Sequence, residues 1–481
     1  MQYLRTIVLR ALRAKNNLEK RRLSRLTYKK AMKQKILVTY VESGFGHISS
    51  MDSIYGALAE KYGDDYDIQK SFILTEDGYF NLTRMNGFLI KQVQNTNKIP
   101  YFGRFVFPFI HLLGGHKLLR FFHRQMAVKS FKQGLEAIKK RDPDIIVTNH
   151  YFTDLLAVEY KRRINPDVVV VNYNPDPTLH TFWDSRDGIF VVNNPLAKRT
   201  ALKYKFKEEN LREVTPCVRA CVERNTLSRR ELREKFGLPL DKFTVVIADG
   251  GYMMGRGPKF AKKLIKSGLP ITLCVIAGSN KKQYERFKKI EDGKSGIKVA
   301  PGMTFKTYEF LPNAYELYGA ADVFLTKGGP NAVLDSLYMH TPVMVNYCPH
   351  VIEAGTVKVF IDKHGCGETV FGKNKAVKRI KLFMSDRSAL SVYERNIREL
   401  INIGNGATSV ADIIDEEAKK QRARLADAAE REQCSDFGVQ SATDITISDE
   451  DSVTPCGDAA DVADISVPDG EAVISESTVA S

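Results

Sequence analysis

Acidic side chains are missing from residues 78–135. Those 58 positions hold no Asp or Glu, in a 481-residue chain that carries 57 of them. The last 49 residues, 433–481, lack the opposite sign, with 11 acids and no Lys or Arg. Tryptophan occurs once, at Trp183. No apolar run reaches the ~18–20 residues of a membrane-spanning helix. No G-x-x-x-x-G-K-[ST] stretch occurs, which removes a P-loop NTPase. The seven cysteines, at 217, 221, 274, 348, 366, 434 and 456, are odd in number and irregular in spacing. Cys217 and Cys221 form C-x3-C without a second pair at zinc-finger distance, so reduced thiols and no metal centre are expected.

The net charge is +15, from 72 Lys+Arg against 57 acids. Without the acidic tail, residues 1–432 carry 72 cations against 46 acids, a net of +26. Such an excess favours an anionic partner. Two segments concentrate it. Residues 1–35 hold 12 Lys/Arg and one acid, Glu19. There Leu4, Ile7, Val8, Ala11 and Leu12 repeat with the spacing of one helical face, so residues 1–34 read as a basic amphipathic arm or a solubilising one. The acid-free segment is the second, with nine Lys/Arg interleaved with 11 Phe/Tyr. Rings at headgroup depth and cations against lipid phosphates suit a bilayer interface. An anionic membrane surface, met through 1–34 and 86–126, is therefore the expected partner, and nucleic acid is not. The amino terminus shows no secretory apolar stretch, and a peripheral position on the cytoplasmic face of the cell membrane is expected.

The middle of the chain reads as α/β. Lys35-Ile-Leu-Val-Thr-Tyr-Val41 is a buried strand, Ser43-Gly-Phe-Gly-His47 a glycine turn, and Ser49–Lys61 a helix. Strands are expected at 145–148, 168–173 and 188–192. A second α/β series starts at Thr244-Val-Val-Ile-Ala-Asp249, with strands at 271–278, 306–310, 322–326 and 342–346. The division predicted is an arm (1–34), an N-terminal domain (35–220), a C-terminal domain (221–415) and an acidic, disordered tail (416–481). Two such halves face each other across a cleft, where ligands commonly bind.

Several strand-end loops carry candidate chemistry. Gly44 and Gly46 let the backbone approach a ligand, and His47 stands at a helix start as general base or anion ligand, or as a capping residue. Asp249-Gly-Gly-Tyr-Met-Met-Gly-Arg-Gly257 has four glycines in nine positions between strand and helix. Gly250, Gly251 and Arg256 would hold a diphosphate, and the spacing is not the G-x-G-x-x-G of an NAD site. Lys327, Gly328, Gly329, Pro330 and Asn331 form another loop entering a helix, again suited to phosphate. Glu353 could accept the hydroxyls of a ribose. Asp176 and His180, in a proline-stiffened loop before Trp183, are polar candidates at the cleft.

Together these loops resemble the processive diacylglycerol glycosyltransferase and monogalactosyldiacylglycerol synthase family, which is related to the N-acetylglucosaminyl transferase of peptidoglycan synthesis. The resemblance spans about residues 35–405. It rests on Ser43-Gly-Phe-Gly-His47, His180…Trp183, Gly250-Gly251…Gly255, Ile276–Arg286 and, most specifically, Phe310–Pro330. It implies a GT-B fold, two Rossmann-like domains facing across a cleft. It also implies metal-independent transfer of a hexose from a UDP-sugar, the donor substrate, to a lipid acceptor such as diacylglycerol, with no cofactor. Carried over, His47 is the residue at the acceptor, Gly328, Gly329 and Pro330 lie by the diphosphate and sugar, and Glu353 binds the ribose. The chain departs from the family at Asn172-Tyr-Asn174, where an Asp is usual, and at Glu353-Ala354, where two acids are usual. Alternative readings are another GT-B enzyme, a UDP-sugar epimerase or a transferase to a polyprenyl-linked acceptor, and an inactive UDP-sugar-binding membrane scaffold.

Overall fold

The computed structural model describes residues 32–42, 45–76, 78–98, 109, 112–113, 117, 121, 128–180, 182–183, 185–253, 255–346, 351–402 and 404–443. The basic arm up to residue 31, Gly44, most of 86–126 and the tail beyond 443 lie outside them. Two compact units divide the chain, residues 1–429 and 430–481. Both sheets belong to the first.

The first sheet is formed by β1 (Lys35–Thr39), β2 (Asp67–Ser71), β3 (Ile145–Thr148), β4 (Val169–Tyr173), β5 (Ile189–Val192) and β6 (Leu211–Glu213). Its order is β2-β1-β3-β4-β5-β6 and every pairing is parallel. The second is formed by β7 (Thr244–Ala248), β8 (Thr272–Ile276), β9 (Thr304–Tyr308), β10 (Val323–Thr326), β11 (Val343–Val345) and β12 (Gly367–Thr369). Its order is β12-β11-β10-β7-β8-β9, again all parallel. Helices on both faces explain why β3, β7 and β8 are uninterrupted apolar or β-branched runs, buried at every position. Ile36, Val38, Ile145 and Val147 join one core face, and Leu37 and Ile146 the other. Polar β2 and the three-residue β6 and β12 are edge or near-edge pieces that hydrophobic patterning does not reveal.

Strand order reverses in each sheet beside its first strand, between β1 and β3 and between β7 and β10. Open parallel sheets bind ligands outside the carboxyl ends at such switch points. The loops ending β1 and β3 carry His47 and Asn149. Those ending β7 and β10 carry Gly250 and Lys327.

The expected boundary at 416 is corrected. A helix runs from Gly406 to Thr443, and Ala407, Val410, Ala411, Ile414 and Ala418 pack on the core of the first sheet. Gln34 Nε2 donates to the Ala418 carbonyl at 3.0 Å, and Gln421 Nε2 to those of Asp144 and Asp167 at 2.9 and 2.7 Å. Charge composition placed the boundary too early because a helix of Ala, Lys and Glu needs only a thin apolar stripe to dock.

Candidate functional site

The helix Phe45–Tyr62 begins four residues earlier than the sequence predicts, which puts His47 in its first turn. His47 Nδ1 is 2.9 Å from the Asn149 carbonyl oxygen. A carbonyl only accepts, so Nδ1 carries the proton and Nε2 keeps its lone pair. The Asn149 amide returns the contact, donating to the His47 carbonyl at 2.6 Å and to Ser50 Oγ at 2.8 Å. Burial, partly offset by the bond to Asn149, lowers the His47 pKa to about 4, so the ring is neutral at pH 7.

His150 follows at the N-cap of the helix Tyr151–Arg163, where its Nδ1 accepts the Phe152 N–H at 3.2 Å. Its neutral form therefore carries the proton on Nε2. His150 stands edge-on to His47 with ring centres 5.0 Å apart. His180 Nδ1 likewise accepts the Phe182 N–H at 3.3 Å, and its ring stacks on Trp183 at 5.7 Å. Burial first, then the neighbouring His47, lower its pKa to about 3. The outcome is one imidazole able to take a proton beside two whose Nε2–H groups can donate. Sequence reading missed Asn149 and His150. Their signal was position, directly after the apolar strand 145–148.

The opposite wall is built from β7, β10 and β11. Lys327 Nζ pairs with Glu353 Oε1 at 3.0 Å, and both side chains are largely buried. Among the described residues, Glu353 Oε2 has no partner, and neither have Thr326 Oγ1 and Asn346 Oδ1. Gly328 has a φ of +92°, which a side chain would strain. Gly329 is the N-cap of the helix Pro330–Tyr338, and among the described residues no side chain caps it, which suits the N-terminal turn to an anion.

The glycine loop after β7 wraps a buried carboxylate. Asp249 accepts the Gly257 N–H at 2.5 Å and the Asn346 amide at 3.1 Å. Burial pushes its pKa up against the pull of Gly257, Asn346 and Lys327. A Cβ on Gly255 or Gly257 would come within 3.0 Å of that carboxylate, so these positions exclude larger residues. Gly250, at φ +73°, leaves a Cβ position 3.8 Å from Lys327 Cε. The Gly251 carbonyl accepts the Ser279 N–H at 2.7 Å. Arg256, at the N-cap of the helix Gly257–Ile265, has Nη1 3.5 Å from the Phe371 carbonyl.

The two walls touch. Asn331 Nδ2 donates to the Gly46 carbonyl at 2.8 Å. Gly355 packs on the proline loop, where a Cβ would meet Thr178 Cγ2 at 2.9 Å and Pro177 Cβ at 3.4 Å. Asp176 is buried in that loop, and burial followed by repulsion from Glu353 raises its pKa to about 7. The loop is held by side-chain amides: Asn174 donates to the Asp176 carbonyl at 2.6 Å, Asn193 to Pro175 at 3.0 Å and Asn194 to Pro177 at 3.2 Å. Asn174 thus has a scaffolding role. Asn172 donates to the buried Asp154 carboxylate at 2.9 Å, so an acid is present at this strand end although the strand itself has none.

No family model matches the chain. It is similar to the chloroplastic monogalactosyldiacylglycerol synthase of Spinacia oleracea, 25% identical over 370 residues that cover 74% of this chain and 67% of the relative. It is 25% identical to a probable monogalactosyldiacylglycerol synthase of Nicotiana tabacum, over 70% of this chain and 62% of the relative. The Arabidopsis thaliana monogalactosyldiacylglycerol synthase 2 is 26% identical, over 81% of this chain and 82% of the relative. The chain thus spans less than two thirds of the tobacco relative. Among solved structures, MurG of Acinetobacter baumannii superposes with a TM-score of 0.50 at 13% identity, covering 80% of this chain and all of its own. The glycotransferase of kitacinnamycin superposes at 0.52 and 13% identity with the same coverage. The fold is GT-B.

Proposed function

We propose that the chain is a peripheral membrane glycosyltransferase that moves a hexose from a UDP-sugar to the hydroxyl of a lipid acceptor such as diacylglycerol. One observation carries the reading. The lone pair of His47 Nε2 and the donor-side loop Lys327–Asn331 are held together at one cleft by the Asn331–Gly46 hydrogen bond. The similarity to monogalactosyldiacylglycerol synthases over most of the chain supports the acceptor class. None of the described helices is long and apolar enough to cross a membrane.

In the reaction, His47 Nε2 takes the acceptor's hydroxyl proton. The oxygen bonds to the anomeric carbon, and the bond from that carbon to the diphosphate oxygen breaks, releasing UDP. The Nδ1–H bond to Asn149 steadies the imidazolium that results. A bound diphosphate raises the basicity of the ring beside it, offsetting the effect of burial. The open N-terminus of Pro330–Tyr338 and the Lys327 ammonium stabilise the departing charge. Glu353 Oε2, without a partner in the described structure, accepts from ribose hydroxyls. Transfer on this scheme needs no metal or cofactor.

The test is to incubate the full chain with labelled UDP-glucose, UDP-galactose or UDP-N-acetylglucosamine and diacylglycerol-bearing vesicles, in EDTA. Labelled glycolipid and stoichiometric UDP are expected. No transfer and no UDP release with any donor would overturn the proposal.

A further inference from the structure

The helices on the two faces of the second sheet differ sharply in charge. Three pack on the face built from Val245, Ile247, Leu273, Val275, Val323 and Leu325: Gly257–Ile265, Lys281–Glu291 and Lys373–Ser385. They carry 13 Lys/Arg and two acids, Glu285 and Glu291. On the other face Arg229–Lys235, Ala314–Ala320 and Pro330–Tyr338 carry four cations and four acids, which balance. Packing does not require this asymmetry, because the buried sides of the three basic helices are apolar.

Most of these cations are not engaged in ion pairs among the described residues. Lys288 pairs with Glu291 and Asp292, and Arg379 with Glu368. Among the described residues the other 11 have no ion pair, and all but half-buried Lys262 are exposed. They repel one another across helices: after burial, Arg286 and Lys266 are what lower the Lys262 pKa. Concentrating unpaired charge this way costs stability unless an anion covers it. Exposed Phe371 stands at the edge of this face, two residues before Lys373.

We propose that this lysine-rich face of the C-terminal domain is a second membrane-contact surface, covered by the headgroups of anionic phospholipids. Eleven of the 13 cations are Lys. Flexible ammonium groups suit a diffuse layer of phosphates, whereas base readout favours Arg forks and interleaved stacking rings. The only ring in the first helix is buried Phe260, and the buried rings Phe287 and Phe383 likewise turn into the core. This surface lies outside the acid-free stretch at 78–135 and would fix the second domain, as well as the first, to the bilayer. The inference deepens the proposed function, but its test needs no turnover. The binding result stands even if no sugar is transferred, and the reverse also holds.

The experiment is vesicle flotation of the full chain on phosphatidylcholine with and without phosphatidylglycerol. It compares the wild type with a set carrying Lys373→Glu, Lys375→Glu, Lys378→Glu and Lys381→Glu. At ~1 kcal/mol for each surface cation, partition onto anionic vesicles should fall about tenfold or more. Binding to neutral vesicles should be unchanged, and the salt dependence shallower. The corresponding Lys→Gln set, with a wild-type melting temperature, should give a smaller fall and is read alone if the Glu set does not fold. Unchanged partition in a folded set overturns the proposal. So does loss of duplex DNA retention with vesicle binding intact, which would assign the face to nucleic acid.

Discussion

The Asn331 side-chain amide donates to the Gly46 carbonyl across the cleft at 2.8 Å, one residue before His47. The residue that opens the donor-side helix is thereby tied to the turn that carries the base. The fit is close on both sides, since a Cβ on Gly46 would stand 2.9 Å from Asn331 Nδ2.

Removing that amide should loosen the register of the two walls. A single intramolecular hydrogen bond contributes about 0.5–1.5 kcal/mol. Asn331→Ala should therefore lower kcat/KM roughly two- to tenfold, with little change in melting temperature. Steady-state kinetics beside a thermal melt check this, and a melting temperature that falls with the rate would make the bond structural.

His47→Ala should lower kcat by about 10²–10⁴-fold, the usual contribution of a positioned general base. UDP binding, measured by titration calorimetry, should survive. Equal loss of both would place His47 in binding.

The buried histidines set the acid limit of the fold. His47 and His180 have folded pKa values of about 4 and about 3, against 6.5 unfolded. Between pH 6.5 and those values the unfolded chain binds more protons, so stability is full above pH 6.5 and falls as pH drops. The pair His47→Gln/His180→Gln should flatten the decline of melting temperature between pH 7 and 5.

Asp176 works in the other direction. Its folded pKa of about 7 lies above its unfolded 3.8. The folded state then binds more protons between pH 4 and 7, and stability is lost as pH rises through that window. Asp176→Asn should raise the melting temperature by several degrees at pH 8 and leave it nearly unchanged at pH 4. A uniform shift at both would mean that the carboxyl is not held above its unfolded pKa.

Lys327 and Glu353 should behave as a buried pair. Lys327→Met leaves a buried carboxylate uncompensated and should cost about 3 kcal/mol in urea unfolding. Lys327→Met/Glu353→Leu should recover much of that stability while abolishing UDP-sugar binding. If the double variant is no more stable than Lys327→Met, the 3.0 Å contact is not the source of the loss.

The carboxyl-terminal helix gives a truncation test. A chain ended after Ala429 keeps Ala418 and Gln421 on the first sheet and should melt like wild type. One ended after Asp415 loses both and should unfold at clearly lower temperature.

The sequence by itself determined the α/β class, the two halves and the loops at the strand ends. Buried parallel strands such as Thr244–Ala248 must be continuous apolar runs, and glycine turns such as Gly250-Gly251 must follow them. It also placed Lys327, Gly328 and Gly329 on those loops and His47, Asn331 and Glu353 close behind strand ends, where the structure has them in the first turns of helices, and the resemblance gave them roles. It did not reveal β2, β6 or β12, whose polar or three-residue segments carry little periodicity. Nor did it show that the helix starting at Gly406 returns to the first sheet, since the sequence separation between Gln34 and Gln421 leaves no local trace. Only the tertiary structure decided which groups meet: the Asn331 amide with the Gly46 carbonyl, and His47 with Asn149 and His150. Tautomers and buried charges depend on neighbours far away in the chain, and those neighbours are set by strand order and domain contact rather than by any local pattern.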